Sequence, residues 1–266
     1  MLISSLQNPK IKHIVRLKSR RQRDLNQLIL VEGYRAVSLA LKNGFALNEI
    51  YFCPDLYSGS KEQELVENLL GQNAGGYKTY QTTAEVFSKM AYRDQPEGLI
   101  AIGPQFDTSI RNLPVNPDSL FLVAESVEKP GNLGTMLRSA DAAGAEAVII
   151  CDGVTDVFNP NVVRASVGAL FTIKVGQATS QELFEWSAQN KIQLVAATPS
   201  AKQPYTRADL TGKIAIAVGA EQSGLSKTWL DQAGQKVRIP MHGQVDSLNV
   251  SAAATVILFE ALRQRS

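Results

Sequence analysis

The chain has 266 residues, 27 Lys and Arg against 25 Asp and Glu, and a formal net charge of +2, which leaves room for one large domain or two ordinary ones. Its 44% apolar content permits a normal core, yet no apolar run approaches the roughly 20 residues of a membrane span, and the basic N-terminus lacks the apolar stretch of a secretory signal. Cys53 and Cys151 are isolated and His13 and His242 lie far apart, so buried thiols in a reducing cytoplasm are expected rather than a disulfide or a metal site.

Asn8 as cap and Pro9 at the first helical position predict a helix start. Ile11, Ile14, Val15 and Leu17 give that helix an apolar side. Lys10, Lys12, Arg16, Lys18, Arg20, Arg21 and Arg23 crowd the same segment, with Asp24 the first acid after them. Such clustering marks either a polyanion partner or a solvated helix face. Strands are predicted at residues 27–33, 49–53, 77–81 and 98–103. Helices fall between them at 34–43, stopped by Gly44, and at 61–70 and 83–90. This alternation argues for an α/β layer domain.

Residues 104–117, with three prolines and no periodicity, read as a linker. Beyond it, strands are predicted at 119–124, 146–151, 171–175, 192–197, 213–218 and 236–239. Helices are predicted at 133–143, 162–170, 181–189 and 227–233. Continuous apolar runs such as AVII and IAIAV suit a parallel sheet covered on both faces. A last helix at 250–263, capped by Ser247 or Asn249, is apolar almost all round and is expected to be buried, in part against a second copy of the chain.

Gly224 is followed by Leu225, which disfavours a Walker loop, and no G-x-G-x-x-G follows the first strand. What remains is a set of loops at 217–220, 239–243 and 246–249 that could converge. Asn132, Gly134 and Arg138 form N-x-G-x-x-x-R, and Gly219, Glu221 and Gly224 form G-x-E-x-x-G. Ser247, Leu248 and Asn249 form S-L-N after the Ile239–Pro240 pair. In order and spacing these segments resemble the motif set of the SpoU/TrmH family of RNA ribose 2′-O-methyltransferases, of the SPOUT class. The segments SLQNPKIKHIVRLKSRRQRD, LVEGYRAV and EGLIAIG resemble the L30e-like substrate-binding domain that often precedes that catalytic domain.

The resemblance implies an L30e-like α/β domain at residues 1–104 and a linker at 105–117. It implies a parallel-sheet SPOUT domain at 118–266 with a deep trefoil knot. It implies S-adenosylmethionine held at Gly219, Ile239 and Leu248, with Thr198, Ala220, Met241 and Asn249 nearby. The catalytic set it implies is Arg138, Asn132, Ser247, Asn249 and Glu221. Arg138 acts there either as a base or as a phosphate clamp. A guanidinium is essentially always protonated, which suits the clamp. The bland alternative for Arg138 is a surface salt bridge with Glu128 or Asp141. Glu221 reads as an organiser of the loops rather than a base. Glu128 and Lys129 stand before Pro130, where the family more commonly has an aspartate. Lys12, Arg20, Arg21, Arg23, Arg35, Arg164 and Ser166 are the candidate RNA contacts, while Glu32 and Arg35 either face RNA or pair with each other. The expected function is methylation of a ribose 2′-hydroxyl in structured RNA by a cytoplasmic homodimer, with no metal and no membrane. Ribosomal RNA is the first expectation; transfer RNA, or an inactive RNA-binding protein, is the alternative.

Overall fold

Asn8 opens the first helix as predicted: its side chain accepts from the Lys10 amide at 2.9 Å, and Pro9 follows it. The computed structural model describes residues 1–71 and 76–266. One compact unit comprises Met1–Phe106 together with Asp156–Thr172, and a second comprises Asp107–Thr155 and Ile173–Ser266.

In the first unit β1 (Leu2–Ile3), α1 (Pro9–Leu17) and α2 (Arg20–Asn26) precede β2 (Leu28–Glu32) and α3 (Tyr34–Lys42). Next come β3 (Glu49–Phe52), α4 (Ser60–Gly71), β4 (Lys78–Thr82), α5 (Ala84–Met90) and β5 (Leu99–Pro104). Among the described residues they form a five-stranded sheet of order β1-β4-β3-β5-β2. Here β5 runs antiparallel to both neighbours, and the other pairs are parallel. Ile11, Ile14, Leu17, Phe87 and Met90 cover one face of it, as the apolar spacing of α1 requires.

The second unit carries β6 (Leu120–Glu125), α6 (Pro130–Ala142) and β7 (Ala147–Cys151). The chain then supplies α7 (Pro160–Ser166) to the first unit. It continues with β8 (Lys174–Ala178), α8 (Ser180–Asn190), β9 (Gln193–Ala197) and β10 (Gln203–Pro204). β11 (Ile214–Val218), α9 (Lys227–Gln232), β12 (Gln235–Arg238) and α10 (Val250–Arg265) complete it. Among the described residues the sheet has seven strands, ordered β10-β12-β9-β11-β6-β7-β8, and every pairing is parallel. The central strands β6, β7 and β11 are buried throughout, which is why they read as unbroken apolar runs. The segment read as a linker is no free tether, because Ile110 and Leu113 are buried in the core of the second unit.

Two expectations are corrected here. The basic segment is two helices, and Arg23 in it is an interior residue with 1% exposure. Its guanidinium donates to the Leu17 and Lys18 carbonyls, both at 2.9 Å, and pairs with Asp156. Those carbonyls belong to the end of α1, where a helix leaves acceptors without intrahelical partners. Arg23 is therefore a helix terminator and not an RNA contact. Lys10 is also engaged internally, with Glu49 at 2.5 Å, as is Lys18, which donates to the Lys89 and Ala91 carbonyls. Lys12, Arg16, Arg20 and Arg21 remain exposed.

Ser166 is buried as well, its hydroxyl donating to the Val163 carbonyl at 2.8 Å, so it too faces no RNA. α10, as its excess of apolar surface requires, is not covered on every side. Ala254, Ile257, Leu258 and Ala261 are buried, and α10 packs on α6 and β11. Phe259, by contrast, is 44% exposed, and Ala252 is exposed on the same helix. The end of α10 is fixed by Arg265, which donates to the carbonyls of Asp118, Leu210 and Gly212.

Arg23→Ala should lower the stability of the first unit by about 3–5 kcal/mol, because it strands the buried Asp156 carboxylate without its partner. Denaturant unfolding checks this. An effect within about 0.5 kcal/mol, as at an ordinary surface site, would contradict the interior role.

Candidate active site

β11 ends at Val218, and the next residue is constrained by its own loop. A Cβ on Gly219 would stand 2.0 Å from the Gly224 carbonyl carbon and 2.2 Å from the Leu225 nitrogen. The loop folds back so that the Gly224 amide donates to the Ala220 carbonyl at 2.9 Å. Gly224 itself takes the left-handed conformation, with φ of +66°, which favours glycine. The glycine spacing thus serves the backbone of this turn, and not only the approach of a ligand. Beyond it Leu225 is buried, and Ser226 caps α9 while its amide donates to Glu125 at 2.8 Å.

This turn forms one wall of a cavity of about 520 Å3. The other walls come from residues 197–200 after β9, residues 239–250 after β12, and Ala253 and Ile257 on α10. Gly219, Ile239, Leu248, Thr198, Ala220, Met241 and Asn249, the whole predicted cofactor set, line it together with Ser247. Its volume lies in the ~300–1,000 Å3 range of small-molecule sites. Leu225, Ile239, Leu248 and Ile257 offer apolar surface for a flat ring. Backbone at 218–220 and the Asn249 side chain offer polar partners for its edge. This mixture fits an adenosyl group.

Sequence reasoning missed Pro199, Ser200, Ala253 and Ile257. The last two stand four residues apart on α10, a spacing that puts them on one helix face. That was the available signal.

At the edge of the cavity one carboxylate gathers three distant segments. Glu221 accepts from the Asn132 side-chain amide at 2.6 Å and from the backbone amides of Glu128 and Lys129 at 3.3 and 3.4 Å. Asn132 in turn accepts from the Asn249 side-chain amide at 3.2 Å. The Asn249 oxygen accepts from the Ser251 amide at 3.0 Å, so Asn249 rather than Ser247 caps α10. Partial burial pushes the Glu221 carboxyl up, but the hydrogen bonds from Asn132, Glu128 and Lys129 outweigh it. The net shift is downward, and the group is ionised at neutral pH. An ionised acceptor of this kind holds loops and is a poor proton acceptor.

Arg138 is not brought into this group. It lies six residues after Asn132 on α6, about 9 Å along the axis and on another side of the helix. It is exposed and does not line the cavity. Arg35 and Arg164 are exposed in the first unit. Glu32 does not pair with Arg35; it is buried and accepts from the amides of Tyr92 and Arg93 at 2.7 and 3.4 Å.

Cys53 and Cys151 are buried free thiols, and burial pushes both pKa values up. Among the described residues no cluster of His, Cys, Asp and Glu could hold a metal ion, and no helix is long and apolar enough to cross a membrane.

Comparison with known proteins gives this geometry a family. The SpoU rRNA methylase family matches residues 119–259, and the MRM3-like substrate-binding domain matches residues 8–101. A 23S rRNA uridine 2′-O-methyltransferase of Streptomyces viridochromogenes is 30% identical over 94% of this chain and 87% of its own length. A solved RNA 2′-O ribose methyltransferase is 42% identical, with a TM-score of 0.88 over 100% of this chain and 99% of that one. The AdoMet-bound rRNA methyltransferase of Sinorhizobium meliloti is 29% identical, with a TM-score of 0.89 over 99% of this chain and 97% of that one. The chain belongs to the SpoU rRNA methylase family.

Proposed function

We propose that this chain transfers a methyl group from S-adenosylmethionine to a ribose 2′-hydroxyl of ribosomal RNA. The observation that carries the reading is the convergence of three motif loops on one cavity, with Asn132 and Asn249 hydrogen-bonded at its edge. The names of its relatives, which act on 23S rRNA, support ribosomal over transfer RNA. Such a substrate puts the site of action in the cytoplasm. Residues 1–104 serve as the recognition domain and residues 118–266 as the catalytic one.

S-adenosylmethionine supplies an activated methyl on a sulfonium, so the chain has to hold it, align the hydroxyl and help remove its proton. Gly219, Ile239, Leu248, Thr198, Ala220, Met241 and Asn249 hold the cofactor. Asn132, Ser247 and Asn249 present hydrogen-bonding groups to the ribose, and Glu221 keeps the first two loops in register. Arg138 binds a phosphate of the RNA and fixes the nucleotide, the role a permanent cation performs best. The family's deep trefoil knot accords with the chain path: β12 lies beyond β9 from β11, and α10 returns to pack on β11 and α6.

The active form is a homodimer. Supporting this are the exposed Phe259 and Ala252 on α10, and an exposed Arg138 on the adjoining α6 that is absent from the lining of the cavity in its own chain. A two-fold contact through that face covers the apolar surface and offers each Arg138 to the other subunit's cavity.

Two outcomes test this. Calorimetry should show the protein binding S-adenosylhomocysteine, and mapping of ribose methylation in rRNA from a deletion strain should show one 2′-O-methyl mark lost. An unchanged map, or no binding with and without RNA, would remove the reading. Separately, Arg138→Ala and Leu248→Trp, the latter filling the cavity mouth without disturbing the Gly219 turn, should each be inactive. Mixed one to one, they should recover about a quarter of wild-type activity, since half the dimers are mixed and each has one intact site. No recovery, with mixed dimers confirmed by mass, would show that Arg138 acts within its own chain.

A further inference from the structure

A second cavity, of about 550 Å3, lies wholly within the first unit. It is built at the start of α3 and α4, with α7 supplying a further edge. Arg35, Lys61, Arg93 and Arg164 contribute four cationic side chains to its lining. Arg35, Lys61 and Arg164 are exposed and have no ion pair among the described residues. Arg93 is fixed by an ion pair with Glu97, and the pair lies over Gly33, where a Cβ would stand 2.9 Å from the Glu97 carboxylate. Even so, the Arg93 Nε is buried and finds no acceptor in the protein.

Three carboxylates, Glu32, Glu62 and Glu97, share the lining with the four cations and leave it with a small positive excess. Glu97 is taken by Arg93, Glu32 by the amides of Tyr92 and Arg93, and Glu62 is buried. Burial pushes the Glu32 carboxyl up more than those amides bring it down, which further weakens its charge at acid pH. No side chain caps α3, so its first-turn amides add a positive partial charge beside the cations. Tyr34, half-buried at the first position of α3, is the one aromatic residue of the same lining.

Exposed cations free of ion pairs around a nucleotide-sized hollow, with one aromatic residue in its lining, are a combination that suits an unpaired nucleotide. The base stacks and the flanking phosphates meet guanidinium forks. We infer that this cavity is a subsite for one unstacked nucleotide of the RNA substrate, with Arg35, Lys61 and Arg164 on its phosphates and Tyr34 against its base. The inference rests on the proposed action on RNA. It assigns a task to Arg35 and Arg164 that lies apart from the methyl-transfer cavity, and it adds Tyr34, Lys61 and Arg93, which the sequence did not single out.

The test uses the full chain and purified 23S rRNA, with affinity measured across a range of salt concentrations. The double variant Arg35→Ala/Arg164→Ala should bind at least about tenfold more weakly. It should also reduce the slope of log affinity against log salt by about 1.4–1.8, the loss of two phosphate contacts. Arg35→Lys/Arg164→Lys should restore the slope. Tyr34→Leu should weaken binding by about five- to a hundredfold at an unchanged slope, because stacking releases no counterions. Binding of S-adenosylhomocysteine should stay at the wild-type level in every variant, which separates this subsite from damage to the fold or to the other cavity. If wild type binds the RNA and the arginine and tyrosine variants match it in affinity and slope, the subsite is wrong while the function stands. If wild type binds no RNA, both fall together.

Discussion

The site depends on one charged acceptor. The Glu221 carboxylate receives three N–H groups from the loop at 128–132, and Asn132 passes the connection on to Asn249. Asn249 is also the cap of α10, so the loop that lines the cavity and the helix that closes it start from the same side chain. Hydrogen bonds to an ionised acceptor contribute about 1.5–3 kcal/mol each, more than those between neutral groups. They tie residues 128–132 to the turn after β11, and Asn249 joins the polar, exposed loop 241–249 to them through Asn132.

The sheet makes this meeting possible. Parallel strands all end on the same side, and the cavity is formed by the segments that follow β9, β11 and β12, which are neighbours in the sheet. Open α/β sheets bind ligands at such carboxyl ends as a rule. The exclusion of a Cβ at Gly219 then decides how tightly the turn after β11 folds, and so how much room is left. α10 completes the arrangement: its buried side supplies Ala253 and Ile257 to the cavity, and its outer side is left apolar.

Much of this was legible in the sequence, for physical reasons. Strand and helix positions followed from period and from punctuation such as Asn8–Pro9 and Gly44, because those signals act within a few residues. The cavity residues were legible because G-x-E-x-x-G and S-L-N have local consequences, a tight turn and a helix cap. Other features depend on partners far along the chain. Arg23 sits among exposed bases and reads like them, and only the distant Asp156 makes it an interior residue. Residues 156–172 read as part of the second domain but pack with the first unit, since their apolar spacing does not name the core they join. The apolar run of α10 was legible as a helix with more apolar surface than one domain covers, and Phe259 is indeed left exposed.

Glu221 and Asn249 act through Asn132 as one connected unit in building the cavity. A double-mutant cycle on S-adenosylhomocysteine affinity measures that directly, using Glu221→Gln, Asn249→Ala and the combination. If the two share one network, each single change should weaken binding by about tenfold or more, and the double should be little worse than the worse single. If the two effects instead multiply, the residues act independently and the carboxylate does not assemble the site.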